Sequence, residues 1–194
     1  MKMGRDGTML AFQFPAGTSS PLVEDLLKNL AGKEKMMLQK FTPDLIGILK
    51  SLADFELATA ELYGTCSRIW DGDKEFWTDM QQAEVKHSRN IKRMTDIVSS
   101  KPGDCTPGHV FPPAAVQTSI SGIKANIQRL AKREIARKNM LFIARDIEQS
   151  MLERNYSEIV KTNDAEFQSL IKEILSDTVS HREQLNKKIK EIGS

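Results

Sequence analysis

Apolar residues recur along most of this chain at the three- and four-residue spacing of helices, with polar residues between them. No stretch shows the two-residue alternation of a strand. A first helix is predicted from Ser20, with Pro21 at its first position, to about Lys40, and Gly32 is a point where it can break. Thr42-Pro43-Asp44 reads as a cap that opens a long helix ending near Trp70. Asp71-Gly72-Asp73 is a tight turn, and a second long helix runs from about Lys74 to Ser99. Residues 101–113 hold four prolines and two glycines and form the main loop. A third helical region follows to about Lys161, in two pieces around Gly122. Thr162-Asn163-Asp164 turns the chain into a last helix from about Ala165 to Ile192. Long helices joined by short turns imply an all-α, antiparallel four-helix bundle with an extra N-terminal helix. Its hairpins are about 43–99 and 114–192, within a single domain of residues 20–194. Residues 1–19 are an N-terminal arm.

Placing each helix on a 100° wheel separates core stripes from solvent faces. The first long helix carries Leu45, Ile48, Leu49, Leu52, Thr59, Tyr63 and Cys66 on one stripe, with Glu56 inside it and Glu61 opposite. The second carries Phe76, Met80, Ala83, Ile91, Met94 and Val98, with His87 inside and Glu84 at the edge beside Trp77. The third has Met140, Leu141, Ala144, Met151, Leu152 and Ile159, with Glu148 within and Glu153 pointing away. The fourth has Phe167, Leu170, Ile174, Leu185 and Ile192, with His181 within. Burying an unpaired carboxylate costs several kcal/mol, so inward acids need partners. Bound metal is one solution, because carboxylate oxygen and imidazole nitrogen both suit divalent iron, manganese or zinc. Glu84-Val85-Lys86-His87 places two such ligands one turn apart on one face. Tyr63 and Tyr156 are candidates to hydrogen-bond ligand carboxylates, with core packing as the other reading.

The two halves also echo each other. Asp54-Phe55-Glu56 parallels Asp146-Ile147-Glu148, and Glu61 parallels Glu153, each pair offset by 92 positions. His181 follows His87 by 94. The spacing suggests a duplicated helical hairpin with the same ligand pattern in each copy.

On these residues the chain, over roughly residues 43–192, resembles the rubrerythrin branch of the ferritin-like superfamily. That family places one glutamate on each of two helices and a Glu-x-x-His on each of the other two. The resemblance makes Glu56, Glu84, His87, Glu148 and His181 metal ligands. It departs at one position: Thr178 stands where the second Glu-x-x-His has a glutamate that bridges the two metals. Asp177, short and at the edge of the stripe, is a poor stand-in. The resemblance implies iron, one or two ions per chain, with manganese and zinc as alternatives. It also implies oxidase, peroxide-reductase or iron-handling chemistry. The alternative function is a catalytically degenerate bundle that serves as a binding or dimerisation module.

Composition and charge narrow the remaining classes. Charged residues are 28% and apolar residues 40%, as in a globular helical chain. The net charge of +2 gives no general pull toward nucleic acid or membrane, and no stretch approaches the ~20 apolar residues of a membrane span. The basic run from Lys124 to Lys138 reads as a solvated helix face, so no nucleic-acid partner is expected. Cys66 and Cys105 form no Cys-x-x-Cys pair, which excludes a rubredoxin-type centre; they read as reduced thiols in a cytoplasmic protein, with a single disulfide left open. With no rubredoxin module, redox chemistry needs an external electron donor. A homodimer is expected; in the degenerate-bundle alternative the N-terminal helix and arm serve an interface. His109, in the Pro-rich loop, reads as exposed.

Overall fold

The computed structural model describes the backbone of residues 21–108, 112–153 and 156–193. The predicted arm, residues 1–19, and His109 lie outside the described residues, as do the side chains of Leu152, Glu153 and Tyr156. The described chain is all-α in character, with five α-helices: α1 (Pro21–Ile69), α2 (Lys74–Ser100), α3 (Pro113–Ala131), α4 (Arg137–Glu153) and α5 (Ala165–Gly193). Contacts divide it into two compact units, Met1–Met36 and Met37–Ser194. In the first, the backbone is helical from Pro21, and Asp25, Lys28, Asn29 and Gly32 are exposed. Everything below concerns the second.

The helices match their predicted positions with four differences. The cap predicted at Thr42-Pro43-Asp44 is absent, because α1 passes through Pro43. Proline keeps a helical φ and removes one backbone donor, so a helix can carry it at a local cost. The third helical region does break, but at Arg133 rather than Gly122. Glu134 N donates to Arg129 O and Arg133 N to Leu130 O, both at 2.9 Å, and Arg133 has φ 60°. This is the paired closure of a Schellman motif with arginine in the left-handed position that glycine usually fills. Finally, the third region stops at Glu153 rather than near Lys161, and there are strands where none was expected. β1 (Cys105–Pro107) pairs antiparallel with β2 (Val160–Thr162), Cys105 opposite Thr162 and Pro107 opposite Val160. Three residues are too few to display an alternation. A Cβ on Gly108, just beyond β1, would collide with the Glu158 carbonyl oxygen, so the close approach requires glycine there.

The start of α5 is set locally. Asp164 Oδ1 accepts a hydrogen bond from Phe167 N at 3.0 Å, as an N-cap does, while its Oδ2 pairs with Lys101 Nζ at 2.6 Å. Asp73, between α1 and α2, is buried and joins distant helices: it accepts from Arg137 Nη2 at 2.8 Å and from Lys188 Nζ at 2.9 Å.

The predicted stripes form the core. Leu45, Ile48, Leu49, Leu52, Met80, Ile91, Met94, Met140, Leu141, Ala144, Phe167, Ile174 and Leu185 are all buried in one cluster. Phe76, Leu170 and Ile192 pack against it half-buried. Burial of this kind stabilises by about 1.5–3 kcal/mol per large apolar side chain. Both cysteines are free and buried. Among the described residues, no helix is long and apolar enough to cross a membrane.

Candidate metal centre

Four helices each send polar side chains into this apolar interior. Glu56 comes from α1, Glu84 and His87 from α2, Glu148 from α4 and His181 from α5. Their relative exposures run from 0% to 7%, so all five are withdrawn from water. Helical periodicity does the positioning: Glu56 continues the Leu45–Leu52 row, and Glu84 and His87 share a face because they are three apart. Glu61 is exposed, as its wheel position requires.

The five converge as two overlapping triads. Glu56, Glu84 and His87 form one, and Glu84, Glu148 and His181 the other. In each triad one ligand atom from every residue lies within 4.8 Å of the others. Glu84 belongs to both. Its Oε2 is 3.0 Å from His87 Nδ1, and its Oε1 is 3.1 Å from His181 Nδ1. The second contact is close but is not aligned as a hydrogen bond, and Glu84 Oε1 and His181 Nδ1 have no hydrogen-bond partner. His181 Nδ1 also stands 3.7 Å from Glu148 Oε2. The two imidazole centroids are 6.0 Å apart.

The far sides of these side chains are held as well. Tyr63 donates a 2.7 Å hydrogen bond to Glu148 Oε1, so of the two roles open to it in sequence it takes the polar one. His87 Nε2 lies 3.3 Å from Asp177 Oδ2, and Lys86 bridges Glu173 at 2.6 Å and Asp177 at 3.6 Å. Asp177 therefore orients His87 from outside the cluster instead of standing in as a ligand. The signal for this was in the sequence: Asp177 sits four residues before His181, on the same side of α5. Thr178 is buried at 1% exposure, and its hydroxyl donates to Ile174 O at 2.8 Å. Position 178 is thus inside the core and carries no carboxylate.

Burial and charge pull against each other here. Burial pushes the Glu84 carboxyl up, but His181 and His87 outweigh it and hold the carboxyl down. Burial pushes His181 down, and Glu148 with Glu84 overcomes this and raises it. His87 behaves alike, raised chiefly by Glu84. Glu148 is raised by burial and by the charge of Glu84. Burial, then Glu148 and Glu84, keeps Tyr63 a phenol well above its ordinary range. The cluster thus concentrates negative charge on Glu84 and draws positive charge to both sides of it. These donors fit a divalent metal: the carboxylates are hard oxygen ligands, both imidazoles aim Nδ1 at the shared carboxylate, and Glu84 Oε1 with His181 Nδ1 remains unsatisfied without one.

Comparison with known protein families, with curated proteins and with solved structures finds no match.

Proposed function

We propose that this chain is a ferritin-like four-helix bundle of the rubrerythrin kind, formed by α1, α2, α4 and α5, and that its core binds iron. The observation that carries this reading is the sharing of Glu84 between two buried Glu/His triads from four helices. Glu56, Glu84 and His87 would hold one ion, and Glu84, Glu148 and His181 the other. Iron supplies one-electron redox chemistry toward oxygen or peroxide when bound there. The chain's own contribution is to keep the site dry and to hold the imidazoles and carboxylates in place. Asp177 fixes the His87 ring through Nε2, and Tyr63 fixes Glu148.

Anaerobic iron loading followed by elemental analysis tests the reading. Between one and two ions per chain is the expected result, and Glu84→Ala with His87→Ala abolishes binding. Metal content at background in the unaltered protein overturns it.

One observation favours a second reading, in which the bundle has lost its chemistry and acts as a binding or dimerisation module. Thr178 leaves the cluster with a single shared carboxylate, and Glu84 already stands close to both His87 and His181 with no metal between them. Elemental analysis separates the two readings directly.

A further inference from the structure

The chain has two tryptophans and two tyrosines. Both tryptophans and one of the tyrosines stand in a line that ends on a cluster carboxylate. Trp70, half-buried in the turn after α1, has its ring centroid 6.4 Å from that of Trp77. Trp77 is fully buried and 5.5 Å from the Tyr63 ring. Tyr63 then donates its 2.7 Å hydrogen bond to Glu148 Oε1. Phe76 closes over Trp77 with centroids 4.9 Å apart, and Lys188 Nζ lies 4.7 Å from the Phe76 ring centroid. Packing alone asks for apolar bulk at these positions and does not ask for the residue types. Trp77 Nε1 is buried with no hydrogen-bond partner, an expense that phenylalanine would avoid.

Indole and phenol are the aromatic side chains most readily oxidised by one electron. Rings this close exchange an electron far faster than a slow external reductant can deliver one. We propose that Trp70, Trp77 and Tyr63 form a one-electron path between the protein surface and Glu148. That the path serves bound iron rests on the function proposed above; the path itself does not.

The step balances as follows. One electron leaves Tyr63 for an oxidised metal ion held by Glu148, and the phenol proton moves along the hydrogen bond to Glu148 Oε1. The tyrosyl radical takes an electron from Trp77 and recovers its proton from Glu148. Trp77, with no acceptor for its Nε1 proton, remains an indole radical cation and is refilled from Trp70. Trp70 is refilled by a one-electron reductant in solution. One metal ion is reduced by one electron, one reductant is oxidised by one electron, and the three side chains are restored.

The path is testable without metal. In a Tyr156→Phe background, where Tyr63 is the sole tyrosine, a diffusing ruthenium photo-oxidant is flashed in the absence of iron and the radical is read by electron paramagnetic resonance. A tyrosyl signal is expected. Trp70→Phe and Trp77→Phe, each checked for unchanged helicity, should lower its yield at least tenfold, and Tyr63→Phe should leave a tryptophan radical in its place. No tyrosyl signal, or a yield in both tryptophan variants equal to that of the Tyr156→Phe parent, overturns the path. Trp70→Phe, at a half-buried position, serves if Trp77→Phe fails to fold. In iron-loaded protein oxidised by hydrogen peroxide, ascorbate should bleach the ferric absorbance at least tenfold more slowly in both variants. Equal rates overturn the path's service to the metal. A chain that conducts in the first experiment but takes up no iron supports the path and overturns its destination.

Discussion

The Tyr63 hydroxyl and Glu148 Oε1 meet at 2.7 Å across 85 positions of sequence, and both groups are shut away from water. The hydrogen bond ties α1 to α4 at the level of the cluster. Tyr63→Phe removes the donor and leaves the buried carboxylate short of a partner. Such a loss costs about 1–3 kcal/mol. Urea denaturation without added metal should show a destabilisation in that range, and iron affinity should fall roughly 10–100-fold, as for other supports of metal ligands. An unchanged urea midpoint would mean that the bond carries no net stability.

Thr178→Glu restores a carboxylate at an inward position of α5, one turn before His181. Without iron it adds like charge to Glu56, Glu84 and Glu148 and breaks the Thr178 contact to Ile174 O. The variant should therefore melt at a lower temperature than the unaltered chain. With iron it should bind a second ion more fully and recover its melting temperature. Calorimetry with and without iron, beside elemental analysis, checks both halves; destabilisation that iron does not relieve would place residue 178 away from the metals.

Asp73 gives a pH dependence remote from the cluster. The hydrogen bonds from Arg137, helped by Lys188, outweigh burial and hold its carboxyl below the ordinary range. A depressed carboxyl contributes stability that is fully present above the unfolded-state pKa, about 3.9, and is lost as pH falls through the lower folded value. Asp73→Asn should thus be clearly less stable than the unaltered chain at pH 7. The gap should narrow steadily below about pH 4. Urea midpoints of the pair from pH 7 to pH 2.5 measure it, and a gap independent of pH would contradict the ion-pair account.

Helix α3 and the turn that closes it offer two positions for stabilisation. Gly122 lies within the helix, and a Cβ there meets nothing within 4 Å. Gly122→Ala should stabilise by roughly 0.5–1 kcal/mol through helix propensity alone. Arg133 holds φ 60° at the Schellman closure. Arg133→Gly should also raise the melting temperature, because only glycine occupies that region without steric cost. A lower melting temperature in either variant would be the contrary result.

The helices, their buried stripes and the five inward Glu and His residues were legible in the sequence. Each depends on a period of 3.6 residues, which survives in one dimension: Glu56 is buried and Glu61 exposed because five residues turn a helix by a net angle of about 140°. The helix break at Arg133 was not legible, since its signal is normally a glycine and arginine stands there. The strand pair was not legible either, because Cys105–Pro107 is held by backbone pairing to residues more than fifty positions away.

What the sequence determined by itself was which side chains face inward and which helix bears each of them. Only the tertiary structure decided how they meet. It made Glu84 common to both triads, set Asp177 behind His87, aimed Tyr63 at Glu148 and lined up Trp70 with Trp77. Periodicity assigns a face to each residue of one helix. The rotation and axial shift of one helix against another come from packing between residues far apart in the chain, and those shifts decide which inward groups touch.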